Sequence, residues 1–253
     1  MAEAKAKIEA RAQERFEQEQ QEYEAKVARR EAQRKDRKKP RGKDPKPPQG
    51  GARDRDQINL TDEESRILPV SSGGFEQGYN AQAAVDVETM LIVGTTVTQH
   101  CNDKRQIAPM VDVLGALPGQ LGQPDVLLAD AGYFSAANVT TCETAELTPL
   151  IAIRRDAHHR PLMERFAADP APPESTDPLI RMAHQLKTKA GRALYGLRKN
   201  TVEPVFGIIR HVMGFRQFSL RGLSSVAAEW SLVAGRARVE HQADERIARR
   251  VGR

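Results

Sequence analysis

The sequence is poor in cysteine, has no long apolar run and, over its first 56 residues, holds almost nothing that could form a core. Cys101 and Cys142 are too few to make a disulfide framework in a chain of 253 residues. No apolar stretch approaches the roughly 20 residues that a membrane-spanning helix requires. The N-terminus is rich in Glu and Lys, where a secretory signal would be apolar. These absences lead us to expect a reduced, cytoplasmic chain with no membrane partner. No Gly-rich phosphate loop of the Walker type and no nucleophilic Ser or Cys motif occurs. His100, Cys101 and nearby Asp103 lack a second Cys/His pair at zinc-like spacing and read as surface polar residues at a strand end. His158, His159 and His211 belong to no constellation.

What the chain does have is positive charge. Thirty-nine Lys and Arg against 34 Asp and Glu give a formal net charge of +5. That balance favours a polyanionic partner such as nucleic acid. The charge is unevenly spread, and three regions follow: an arm over 1–56, a folded domain over 57–235 and a charged tail over 236–253. Up to about Arg34 the arm is Ala-, Glu-, Gln-, Lys- and Arg-rich, with opposite charges at i, i+4 spacing. Ile8, Phe16, Tyr23 and Val27 make one thin apolar stripe, so a solvated charged helix is expected. The following "RKDRKKPRGKDPKPPQGG" cannot bury a core and reads as a disordered basic linker. It is either a plain solvated charge run or a DNA-binding arm; the two are compatible, since flexible basic segments gain affinity by counterion release.

The middle region reads as α/β. Tyr79–Asp86 and Leu91–Gln99 are β-prone runs around a polar turn, the pattern of a hairpin. Asn102 or Asp103 can cap a helix to about Leu117, with Ile107, Met110, Val111 and Leu114 on its apolar face. "DVLLAD" then reads as a short strand buried on both faces, ending at Asp130. A helix from Ser135 and a strand over Thr148–Ile153 follow. Residues 155–178 are polar and Pro-rich, a loop; 179–196 are helix-forming. A further helix is expected to open at Glu203, capped by Asn200 or Thr201, with Pro204 in its first turn.

Asp130 lies at the carboxyl end of a strand, where ligands gather in open α/β sheets and where carboxylate oxygens can hold a divalent cation. The alternative is an Asp that caps the next turn. Glu203 has its own plain reading, a first-turn Glu favoured by the helix dipole. It precedes Arg210 by seven residues, two turns along nearly the same face of an ideal helix. Taken together, Tyr195, Arg198, Glu203 and Arg210 downstream of Asp130 supply carboxylates for metal ions and cations for phosphate oxygens, the requirements of phosphodiester cleavage. Gln217, Ser219 and Arg221 read equally well as DNA-backbone contacts or as a polar turn.

"GGFEQGYNAQAAVD", "LLADAGYFS" and "YGLRKNTVEPVFGIIRHVMGFRQFSLRGL" resemble, in order, blocks of the bacterial insertion-sequence DDE transposases that carry a Tyr-Arg-Glu-Lys signature. The resemblance spans about Leu60 to Leu232. It implies an RNase H-like mixed sheet flanked by helices and a DNA transposase that cleaves and transfers strands with Mg²⁺ or Mn²⁺. Asp130 then matches the second catalytic aspartate and Glu203 the catalytic glutamate, both as metal ligands. Tyr195, Arg198 and Arg210 match the DNA-contacting signature positions, Arg210 standing where the family has Lys. The implied partners are the DNA of the element's ends and target and a second copy of the chain in the DNA complex, at the nucleoid.

The family's first aspartate sits on a strand ahead of the hairpin, and no such strand is legible before Tyr79. Asp86, at the hairpin turn, is a poor substitute. The tail after Glu229-Trp230 is also more charged than the family's. We therefore expect a truncated chain lacking the first strand of its fold and inactive alone. The competing expectations are a non-catalytic DNA-binding remnant and an unrelated metal-dependent nuclease.

Overall fold

The computed structural model describes residues 2–35, 43–70, 73–119, 122–154 and 168–251, with side chains as far as 237. His158 and His159 lie outside the described residues. The chain divides into two compact units, Met1–Glu63 and Glu64–Arg253.

In the first unit, α1 (Ala2–Lys35) is the helix expected from the i, i+4 charge pattern. Lys7 to Glu3 and Lys26 to Glu22 are such pairs, and Gln13 and Gln20 donate to Glu17 and Glu24 at the same spacing. The stretch expected as a linker is neither helix nor strand where it is described. It does, however, run back along α1: Asp44 meets Arg30 at 2.7 Å, Arg53 meets Glu19 at 2.7 Å, and Asp56 meets Arg15 at 2.6 Å. Glu63 closes the series on Lys7. Gly50 packs against the Phe16 ring, where a Cβ would stand 3.7 Å from it. Charge complementarity thus orders a segment that has no apolar reason to fold.

The second unit is mixed α/β. A hairpin of β1 (Arg66–Pro69) and β2 (Phe75–Gly78) precedes Tyr79, where the sequence showed no strand. These strands have Ile67 and Phe75 facing water and no apolar-polar alternation, so the pattern gives no signal for them. β3 (Asn80–Val85) and β4 (Ile92–Thr98) form the expected antiparallel hairpin. Its turn is closed by Asp86, whose side chain accepts from the Thr89 amide at 2.8 Å, with Met90 at φ 55°. A single turn over Asp103–Arg105 leads into α2 (Ile107–Gly115), which begins at Gln106 with no side-chain cap. Gly94 lets α2 approach: a Cβ there would lie 3.1 Å from both Met110 Sδ and Val113 Cγ1.

β5 (Val126–Ala129), α3 (Ala136–Thr144) and β6 (Thr148–Ile151) form a parallel βαβ unit, the helix starting where expected and capped by Ser135. β5 is only half-buried over Val126–Leu128, not sealed on both faces. α4 (Pro178–Gln185) and α5 (Lys189–Gly207) follow. Here the expected helix start at Glu203 fails: α5 begins at Lys189, Thr188 caps it by accepting from the Gly191 amide at 3.0 Å, and Pro204 lies inside the helix. The proline removes one backbone donor. Burial of Thr201, Val205 and Ile209 outweighs that loss and carries the helix through. Beyond Pro204 the helix widens into a π turn over Ile208–Val212 and stops at Gly214, φ +68°. α6 (Leu223–Val251) closes the unit and runs through the stretch expected as a separate tail. Glu64 accepts from its first amide, Leu223, at 2.7 Å.

The sheet expected as one layer is three two-stranded pairs, β1–β2, β3–β4 and β5–β6. With its flanking helices this is the mixed α/β architecture of an RNase H-like core. Two apolar clusters hold it. One joins β5, β6, α2, α3 and α4 through Val111, Val139, Cys142, Ile151 and Met182. The other joins the β3–β4 hairpin, the end of α5, the π turn and α6 around Trp230. Phe206, Phe215 and Phe218 ring that indole at 6.1 to 6.3 Å. No helix among the described residues is long and apolar enough to cross a membrane.

Candidate functional site

Asp130 follows the last residue of β5, and the first turn after it, Ala131–Tyr133, decides where its carboxylate points. Asp130 Oδ1 accepts from the Gly132 amide at 2.8 Å. The aspartate therefore does cap the next turn, and it is exposed at the carboxyl end of a parallel strand. The cap occupies one oxygen. The capping and the ligand-holding readings are compatible.

Gly132 separates Asp130 from a second carboxylate. A Cβ at Gly132 would stand 3.0 Å from Asp130 Oδ1 and 3.4 Å from Asp103 Oδ2. Asp103, read from the sequence as a surface polar residue, is half-buried here and receives Asn80 Nδ2 at 2.9 Å and Gln82 Nε2 at 3.0 Å on Oδ1. Its neighbours His100 and Cys101 are exposed, as expected of a strand end. Asp103 could not be found from its own surroundings in sequence. What brings it to Asp130 is the pairing of residues 21 to 51 positions apart, Gln82 with Asp103 and Gln82 with Tyr133.

Tyr133 completes the group, its hydroxyl donating to Gln82 Oε1. Burial, then the charges of Asp103 and Asp130, hold its ionisation far above the usual phenol range, while Arg198 pulls the other way. The phenol stays protonated and serves as a donor. Arg198 lies on α5. Its guanidinium carbon lies 5.7 Å from the Tyr195 ring centre, an i, i+3 stack of the cation–π kind. Arg198 Nε is buried without a hydrogen-bond partner among the described residues. A donor left so is costly unless a ligand oxygen meets it.

The other expected members make none of these contacts among the described residues. Glu203 is exposed and, five residues beyond Arg198, is turned about 140° from it around the helix. Arg210 is exposed within the π turn, so the ideal two-turn alignment of Glu203 with Arg210 does not hold. Asp86 lies at the far end of β3 from Asn80, about 20 Å along the strand, and its carboxylate is spent on the hairpin turn. Ser219 and Leu220 amides donate to Glu229 at 2.9 Å, which makes that loop an anchored turn.

A divalent cation requires oxygen donors converging on a space. The donor chemistry at Gly132 fits, since two carboxylates flank a position where the missing side chain leaves room. No group of three His, Cys, Asp or Glu side chains that could hold a metal ion occurs among the described residues.

Residues 65–235, more than half of the chain, match the family model described as "Transposase DDE domain". No curated protein and no solved structure matches.

Proposed function

Because the chain belongs to the transposase DDE domain family, whose members normally use divalent metal ions, we propose that it acts on the DNA of a bacterial insertion sequence, cleaving and transferring strands with Asp130 and Glu203 as its carboxylates. The observation that carries this reading is Asp130 at the carboxyl end of a parallel strand, its carboxylate held across Gly132 from that of Asp103. Asp130 and Glu203 would hold Mg²⁺ or Mn²⁺. Bound there, such an ion would activate a water or 3′-hydroxyl and stabilise the leaving oxygen. The chain's own part is positioning. Gly132 fixes the Asp130 carboxylate, Tyr195 stacks under Arg198, and Arg198 Nε offers a buried donor to a phosphate oxygen. Arg210, exposed within the π turn, offers a second cation to the same strand. Residues 57–235 form the catalytic domain and 1–56 a basic arm that adds salt-sensitive affinity; two copies assemble on the DNA.

The test is Mg²⁺- or Mn²⁺-dependent cleavage of DNA carrying the element's ends. Asp130→Ala and Glu203→Ala should each abolish it and leave DNA binding intact, whereas Asp86→Ala should leave cleavage unchanged. A second reading has its own support: Glu203 is turned away from Arg198, and no three-acid group occurs among the described residues. On that reading the chain is a truncated, non-catalytic remnant that binds DNA. Salt-sensitive binding with no cleavage by the parent chain would establish it.

A further inference from the structure

Gln82 is 7% exposed and is hydrogen-bonded to Asn80, Asp103, Tyr133 and Trp230. Its Nε2 donates to Asp103 Oδ1 at 3.0 Å and to Asn80 Oδ1 at 2.6 Å. Its Oε1 accepts from the Tyr133 hydroxyl. Its backbone carbonyl accepts from the Trp230 indole at 2.8 Å. The orientation of the amide is forced, because an ionised carboxylate can only accept, so the NH₂ end must face Asp103. Both donors and the acceptor of the side chain are then in use. Such a fully satisfied buried network is rigid, while a partly satisfied one is costly.

This network terminates on both flanks of Asp130. Tyr133 ends the turn that begins at Asp130, and its own amide bonds the Asp130 carbonyl at 3.2 Å. Asn138 Nδ2 then ties the Tyr133 carbonyl, at 2.6 Å, to the Lys104 carbonyl, at 2.8 Å, beside Asp103. The turn carrying Asp130 is thus fastened to β3 by one side-chain bond, Tyr133 to Gln82, and to the Asp103 turn by Asn138. We infer that Gln82 is a positioning residue of this site, whose clamp on Asp103 and Tyr133 aims the Asp130 carboxylate across Gly132. The inference rests on the reading above that Asp130 holds a divalent cation, and it assigns Gln82 an outer role toward that ion.

The experiment measures Mn²⁺ affinity of the full chain by calorimetry and by electron paramagnetic resonance of free Mn²⁺, alongside the melting temperature. Asp130→Ala should remove the Mn²⁺ site; if it does not, the cation reading fails and this inference falls with it. Given that result, Gln82→Met and Tyr133→Phe should each weaken Mn²⁺ binding about 10- to 100-fold, the usual effect of losing an outer-shell partner. The double variant should be no weaker than the worse single one, because both break the same bond. Tyr133→Phe removes one oxygen from a chain that should still melt like the parent, so it decides the matter if Gln82→Met does not fold. Parental Mn²⁺ affinity in Tyr133→Phe, with Asp130→Ala inactive in binding, would overturn the assignment of Gln82 and leave the cation reading standing.

Discussion

In the first unit, the contacts that join residues far apart in sequence are mostly ionic. Asp44, Arg53, Asp56 and Glu63 meet Arg30, Glu19, Arg15 and Lys7 in descending order along one helix. In the second unit two apolar clusters, centred on Ile151 and Met182 in one and on Trp230 in the other, join residues far apart in sequence, alongside the hydrogen bonds of Gln82. The two designs respond to different conditions. A partly exposed ion pair contributes about 0.2–1 kcal/mol and weakens with salt. A buried aromatic side chain contributes several times that and is indifferent to salt. The candidate site belongs to the second unit, where its polar residues are held by hydrogen bonds between elements that the apolar clusters fix.

The largest effect expected from this contrast is that of Trp230→Ala. It should cost about 3–5 kcal/mol in urea unfolding of the second unit and leave α1 helical by far-ultraviolet circular dichroism. A smaller loss would mean that Phe206, Phe215 and Phe218 close over the gap. Next comes Gly191→Ala. Helix propensity alone favours Ala over Gly by about 1 kcal/mol, but a Cβ at Gly191 would stand 2.0 Å from the Gln185 carbonyl oxygen. The clash should win, with a net loss on the order of 1–3 kcal/mol; a gain would show that the turn between α4 and α5 yields.

The smallest effect is in the arm. Asp56→Asn should cost about 0.2–1 kcal/mol, read as faster amide hydrogen exchange over residues 50–56, and 0.5–1 M salt, a range chosen at roughly the point where charges are screened within about 3–4 Å, should mimic it. Acid should act likewise. Arg15, and then the Arg53 amide, hold the Asp56 carboxyl below its ordinary range. Its contribution is therefore complete above the unfolded carboxyl range near pH 4 and is lost as the pH falls through the lowered folded value. Exchange in the arm that ignores both salt and acid would contradict an ionic design.

Local signals were enough for much of the fold. β-prone runs around a polar turn marked β3 and β4, an apolar run marked β5, and a helix was expected from about Ser135, where α3 is capped. What escaped them has physical causes. Pro204 punctuates the sequence like a helix start, yet burial of Thr201 and Val205 overrides it. The π turn has no composition of its own. The strands β1 and β2 are too short and too exposed to pattern. For the site, Asp130 was legible because a strand end is a local feature, and Arg198 because it belongs to a dense motif. Asp103 and Gln82 were not, because their roles come from contacts with Tyr133 and Trp230, the latter 148 residues away from Gln82. A polar residue inside a strand looks like solvent exposure until its partners are placed.

Trp230 is the chain's single tryptophan, and its indole N–H is bound to the carbonyl of Gln82. Ultraviolet emission excited through that ring therefore comes from one address, the seam between α6 and the strand that carries Gln82. Emission from the folded chain should be shifted to shorter wavelength by the buried surroundings of the ring. Any event that loosens β3 should move it back toward the wavelength of indole in water, with no label attached. The protein carries an optical gauge of the strand beside its candidate site.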